Sequence, residues 1–281
     1  MRYGIIISTG DVGELAELAR EAEAAGWDGV FIADALGIET KGFPASPWYD
    51  PWVALAAVAL RTERVQIGTL LTPPSRRRPW KLAREVATLD HLSNGRMILS
   101  VGLGAAKDDG GFYKVGEAMD LKTRARLLDE SIDIVAGLWS GKPFSYDGEH
   151  YHVDQMTLLP PPVQQPRVPI WVVGVWPKEK SMRRALLWDG IIPQRYGASP
   201  GDARLKPEEV RAIRAYVDEH RQAKTPFDIL AGGATLGKSR KRAVEIVRPF
   251  IEAGATWWVE EVWASGDKVR ARVRQGPPRA D

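Results

Sequence analysis

The segment VQIGTLLTPPSRRRPWKLAREVATLDHLSNGRMILSVGLG, residues 65–104, constrains this chain more than any other. VQIGTLL is an apolar run of strand length without alternation, as a strand buried on both faces of a parallel sheet reads. Pro73, Pro74 and Pro79 then punctuate it. From Pro79 the period changes: Leu82, Val86 and Leu89 fall at helical spacing, proline occupies a first-turn position, and Asn94-Gly95 offers left-handed residues to close the helix. MILSVGLG is a second buried strand. Strand, helix and strand in that order pair in parallel through a right-handed crossover, and one such unit seldom stands alone.

The rest of the chain repeats the unit. Arg2–Ser8 reads as a strand, and Glu14–Ala25 as a helix with Leu15, Leu18, Ala19 and Ala22 on one face, closed by Gly26. Gly29–Asp34 is a strand and Trp52–Arg61 a helix. Lys122–Trp139 is a helix with Leu128, Ile132, Val135 and Trp139 on one face. PFSYDGEHYHV then breaks the rhythm, with Asp147-Gly148 between alternating runs as a hairpin signal. A proline-rich connector leads to the strands IWVVG, Gly190–Pro193, FDILAGGAT and TWWVEEV, interleaved with helices around Arg183–Trp188, Pro207–His220 and Ser239–Ala253. The expected fold is α/β: a single (β/α)8 TIM barrel with a hairpin insertion before strand five. It forms one domain over residues 1–281, with the insertion at about 143–168 and a basic C-terminal tail at about 264–281.

Composition removes several functions. With no cysteine among 281 residues there are no disulfides, thiolate metal sites or cysteine nucleophiles. Of four histidines, His150 and His152 share a hairpin face by period two but lack a third metal ligand; His91 reads as a surface residue and His220 as packing. The net charge of +3, from 39 basic and 36 acidic residues, is not a nucleic-acid footprint. In the tail, Lys268, Arg270, Arg272 and Arg274 read as a solvated helix face. No apolar run approaches the roughly 20 residues of a membrane span. The N-terminus enters a strand without a secretory pattern, so a cytoplasmic location is expected.

Barrel enzymes place their chemistry at the carboxyl ends of the strands. Here those ends offer Ser8, Asp34, Thr69 to Thr72, Gly104, Gly174 to Trp176, Pro193 to Arg195, Thr235, Glu260 and Glu261. None is a lysine for a Schiff base, a serine with a histidine partner, or part of a ring of metal ligands. A site so poor in reactive groups needs a cofactor. Small and aromatic residues suit a flat heterocycle. The run Arg76 to Arg78, in a proline-rich loop at a strand end, reads on charge pattern as solvated surface, with an anion-binding loop as the alternative.

At this point the chain resembles the luciferase-like monooxygenase superfamily of flavin- and deazaflavin-dependent barrels. The resemblance is carried by DPWVALAAVALRTERVQIGTLLTP, PWKLAREVATLDHLSNGRMILSVGLG, RARLLDESIDIVAGLWSGKPFSYDGEHYHV, and PPPVQQPRVPIWVVG with WDGIIP. It implies an oxidoreductase, with reduced FMN and oxygen acting on a small organic substrate. F420-dependent hydride transfer, or flavin binding without turnover, is the alternative. By position it implies cofactor contacts at Thr69, Leu70, Leu71, Gly104, Gly174, Val175, Trp176 and Arg183, with a non-proline cis peptide at Leu70–Leu71. Arg184 is a second candidate for the phosphate charge. Trp48, Tyr49 and Gln194 would line the substrate pocket, with Phe43 on the same loop as Trp48. Many relatives carry a histidine after the acidic residue ending strand two, whereas this chain has Asp34-Ala35, so either Asp34, a water or a group on the Phe43 to Tyr49 loop takes the proton-transfer role, or the activity is weak or altered. A homodimer and a separate flavin reductase are the expected partners.

Overall fold

A computed structural model describes residues 1–8, 10–37, 47–105, 111–197, 204–236, 238–262 and 266–279. Eight parallel strands close into a barrel: β1 (Arg2–Ile6), β2 (Gly29–Ile32), β3 (Gln66–Thr69), β4 (Met97–Val101), β7 (Ile170–Trp176), β8 (Gly190–Arg195), β9 (Asp228–Gly233) and β10 (Trp257–Glu261). A helix follows each of them: α1 (Val12–Ala24), α2 (Pro51–Arg61), α3 (Pro79–Leu92), α4 (Leu121–Leu138), α5 (Glu179–Leu186), α6 (Pro207–His220), α7 (Arg240–Glu252) and α8 (Asp267–Arg274). A separate antiparallel pair, β5 (Phe144–Asp147) and β6 (His152–Met156), lies between α4 and β7. This is the (β/α)8 barrel with its hairpin insertion.

Local chemistry sets the helix ends. Asp11 and Glu14 form a capping box on α1, Asp50 accepts from the Trp52 and Val53 amides at the start of α2, and Asn94 and Gly95 close α3 at φ +57° and +76°. Among the described residues, no helix is long and apolar enough to cross a membrane.

The barrel is filled, not hollow. Phe31, Trp171 and Trp257 meet inside it with ring centroids 5.2 to 6.0 Å apart, joined by Ile6, Ile98, Leu230 and Val259. Gly4 and Gly29 make room for these rings, since a Cβ at either would lie 2.7 or 3.0 Å from Phe31. The larger apolar layer lies between strands and helices.

The hairpin signalled by Asp147-Gly148 is present, and three other expectations change. Its turn is longer than two residues. It runs from 148 to 151 and is tied down by the buried Glu130 of α4, whose carboxylate accepts the Glu149, His150 and Tyr151 amides. His150 therefore sits in the loop and shares no strand face with His152. His220 is exposed and stacks on Tyr216 at 4.2 Å, because its position lies beyond the last buried turn of α6. Nor is the basic tail wholly solvated. Val269 and Val273 are buried, Trp27 donates to the Val273 carbonyl, and Arg272, 2 % exposed, is drawn in beside Glu260 at 3.2 Å. Arg270 and Arg274 stay nearer the surface against Glu21.

Candidate functional site

The carboxyl end of β3 is irregular for a definable reason. Gly68 passes so close to β4 that a Cβ would lie 2.2 Å from the Ile98 carbonyl oxygen. Pairing to β4 runs to Gly68 opposite Ile98 and resumes at Thr72 opposite Val101. Four steps on one strand thus face three on the other, which is a bulge. The Leu70–Leu71 peptide within it is cis, as the resemblance implied. Leu70 still donates to the Ile32 carbonyl and Thr72 to that of Ser100, so the bulge is held on both sides while Leu70 packs against the barrel interior.

Asp34 is clamped beside this bulge. Arg77 donates to both of its carboxylate oxygens at 2.9 to 3.1 Å, and the Thr72 hydroxyl lies 2.8 Å from Oδ2. Arg76 donates to the Asp34 carbonyl at 2.7 Å. Side-chain exposures of 6 % for Asp34, 8 % for Arg76 and 20 % for Arg77 show that two of the three consecutive arginines are structural and largely buried. Their expected solvated role holds only for Arg78. Arg77 also reaches Asp50 at 3.7 Å, joining the loop to the start of α2.

Beyond the bulge, Arg76 and Arg124 flank the Phe112 ring at 5.1 and 5.4 Å. Arg124 is 4 % exposed and donates to the Leu103 and Gly104 carbonyls. Among the described residues its Nε has no acceptor and no carboxylate pairs with it. Burial pushes its guanidinium below the ordinary arginine value, opposed by the Asp120 charge. A buried cation without a counter-ion is costly unless something anionic meets it. Inside the barrel, the buried Ser100 hydroxyl shares the inward face of β4 with Ile98 and likewise has no hydrogen-bond partner among the described residues.

A cavity of about 180 Å³ opens at the same end, between the bulge and β8 to β10. Ile6, Leu70, Ile192, Leu230 and Val259 form its apolar wall; Gln194, Arg204 and Glu261 add polar groups. Arg204 donates to Glu261 Oε2 at 3.0 Å.

Of the expected site residues, the structure brings Leu70 and Gln194 to this cavity. Thr69 is buried behind it and lies 2.9 Å from the Thr72 hydroxyl; Leu71 follows in the bulge. Gly104, at φ +69°, lies under Arg124 and packs on Pro73. Gly174, Val175 and Trp176 continue β7 rather than forming a loop, and the Val175 amide donates to Ser181 Oγ. Arg183 lies on the exposed side of α5 and donates to Glu179, while Arg184 pairs with Asp129. Trp48 packs on Gly37 and Tyr49 is 43 % exposed; neither lines the cavity. Phe43 lies outside the described residues.

Reasoning from sequence missed Arg124 and did not separate Glu260 from Glu261. Arg124 is one helical turn before Leu128 on the apolar face, a charge where the pattern calls for a hydrophobe, and that was its signal. Glu260 points away from the cavity, where Thr235 and Trp258 donate to it.

Residues 2–280 match the family described as luciferase-like monooxygenase. An F420-dependent glucose-6-phosphate dehydrogenase from Nakamurella multipartita is 36 % identical over 196 residues, 68 % of this chain and 56 % of that protein. A protein of the same name from Tsukamurella paurometabola is 35 % identical over 165 residues, 58 % of this chain and 48 % of its own length. The matched part thus spans about half the length of these curated relatives. Among solved structures, an F420-dependent secondary alcohol dehydrogenase superposes with a TM-score of 0.79 at 17 % identity, covering 100 % of this chain and 99 % of that one. The monooxygenase RslO1 from Streptomyces bottropensis gives 0.73 at 19 % identity, covering 98 % and 97 %.

Proposed function

Because this chain belongs to the luciferase-like monooxygenase family, we propose that it is an oxidoreductase that binds coenzyme F420 and exchanges hydride with a small organic substrate. The observation that carries this reading is the apolar cavity against the Leu70–Leu71 bulge, with the buried Arg124, which meets no carboxylate among the described residues, beyond it. These residues fit a flat ring with an anionic arm. The choice of F420 is supported by the curated relatives named for it.

When bound, such a deazaflavin supplies a ring carbon that gives or takes hydride. The protein does the rest. Leu70, Ile192, Leu230 and Val259 offer apolar surface that keeps water from the reacting atoms. Arg124 holds the anionic arm, a charge-assisted contact at a site where water competes poorly. Thr72, Asp34, Arg76 and Arg77 lock the bulge, so that Leu70 keeps its place in the wall. Asp34 accordingly acts as a positioning residue: its carboxylate oxygens are engaged by Arg77 and Thr72.

A second reading, in which reduced FMN and oxygen act on the substrate, is favoured by the same apolar wall and would draw its flavin from a separate reductase. Fluorescence titration of the cofactor-free protein with F420 and, separately, FMN decides between them. Tight binding of F420 alone is the expected result. Tight binding of FMN alone supports the monooxygenase reading, and binding of neither refutes both.

A further inference from the structure

At the amino end of the barrel, away from the bulge, a cavity of about 500 Å³ opens beneath the starts of β1, β2 and β3. Its two carboxylates are already engaged. The Glu23 oxygens accept from the amides of Glu63, Arg64 and Val65 at 2.6 to 3.1 Å. Asp28 accepts from the Tyr3 amide at 2.8 Å and from Arg279, which the C-terminal segment brings to 3.1 Å. Arg2 and Arg64 differ: among the described residues, neither donates to a carboxylate. Arg2 donates to the Gln66 side-chain oxygen at 3.0 Å and lies over the Trp257 ring at 5.6 Å. Arg64 makes a 3.4 Å contact with the Glu23 carbonyl. A guanidinium carries five N–H donors, so most of both forks remain uncommitted. Because its oxygen accepts from Arg2, the Gln66 side chain keeps its NH2 as a further donor. What the cavity lacks is an acceptor.

We propose that this cavity is a second ligand site, which takes a small phosphate-bearing anion between Arg2 and Arg64. The donor set decides the class. Two guanidinium forks and the Gln66 amide come from β1, the turn before β3 and β3 itself, so they meet an acceptor whose oxygens point in several directions. A phosphate dianion offers such oxygens and two charges. A carboxylate offers two oxygens in one plane and one charge, which a single fork fills. Arg2 and Arg64 are both exposed, so the ligand can exchange with solvent, while the buried Trp27 and Trp257 close the inner side. Arg279 lines the same cavity and is held there by Asp28 and the Gly26 carbonyl, so a bound phosphate sits where the C-terminal segment meets the first strand. Barrel chemistry belongs to the other end of the strands, so occupation of this site leaves the Leu70–Leu71 cavity free. Free phosphate and a phosphate ester share the chemistry that the arginines would recognise.

Isothermal titration calorimetry on the full chain, with inorganic phosphate and separately with glycerol 3-phosphate, tests the site. Binding of both is expected, and it should weaken as salt is added, since the arginines are exposed. Tighter binding of glycerol 3-phosphate identifies an ester as the ligand; tighter binding of inorganic phosphate identifies the free ion. Arg64→Gln should weaken binding about tenfold or more, as the loss of a hydrogen bond to a charged group requires. Its side chain makes a single long contact, so this variant should melt at the wild-type temperature without phosphate. Arg2→Met should weaken binding likewise, and Arg64→Gln carries the test alone if loss of the Trp257 contact unfolds it. Binding should survive in Arg124→Met, which separates this site from the buried arginine at the opposite end. The inference is overturned if neither probe binds, if acetate binds as tightly as phosphate, if Arg64→Gln binds like the wild type, or if Arg124→Met abolishes binding.

Discussion

Asp34→Asn separates a positioning residue from a proton carrier. The substitution keeps size and shape but removes the charge that Arg77 meets with three contacts of 2.9 to 3.1 Å. Breaking a buried ion pair from one side costs about 3–5 kcal/mol. The amide oxygen still accepts one of the donors and Arg77 is 20 % exposed, so the lower end, about 3 kcal/mol, applies. At roughly 2–4 °C per kcal/mol for a chain of this size, the melting temperature should fall by roughly 6–12 °C. Because Thr72 loses its partner as well, the bulge loosens and cofactor affinity should fall with stability. Calorimetry on the cofactor-free protein, paired with the F420 titration, reads both. Thr72→Val should do the same on a smaller scale, about 1 kcal/mol. If Asp34→Asn melts at the wild-type temperature, binds cofactor normally and loses only turnover, the positioning argument is wrong and Asp34 carries the proton.

Gly68→Ala should be among the most damaging small changes in the barrel. Its Cβ meets backbone, not a movable side chain, so a loss at or above the usual 1–3 kcal/mol of overpacking is expected in urea unfolding. Arg124→Met should reduce cofactor affinity about tenfold or more in the same fluorescence titration, as a lost charge-assisted contact of about 1.5–3 kcal/mol requires; unchanged affinity would remove Arg124 from the site. His152, hydrogen-bonded by Asp147 and Asp154, should titrate above the ordinary histidine value. Its pairing therefore steadies the hairpin below that ordinary value and is lost as pH rises through the raised midpoint. NMR titration should show the midpoint drop in Asp147→Asn.

The barrel was legible because its cause is local and repeated. Unalternating strands such as VQIGTLL, helices with one apolar stripe, and stops such as Asn94-Gly95 each declare themselves within a few residues, and their order fixes a parallel closed sheet. The Leu70–Leu71 cis peptide came from the resemblance and stands where it put it. Elsewhere pattern alone fell short. Arg76 and Arg77 look like any basic surface run until Asp34, some forty residues earlier, is brought beside them. The tail arginines look solvated until Trp27 and Glu260 supply a buried partner for Arg272 alone.

Glu260 and Glu261 show the division most plainly. Sequence by itself determined that two adjacent carboxylates end the last strand and that period two sends them to opposite faces. It did not determine which face looks into the barrel, because TWWVEEV is apolar on both. Only the closed sheet decided that, by turning Trp257, Val259 and Glu261 inward and leaving Glu260 to Thr235, Trp258 and Arg272. Charge and period are properties of neighbouring residues, whereas a counter-ion, a cavity wall or an unpartnered oxygen depends on residues that meet only after the chain has closed.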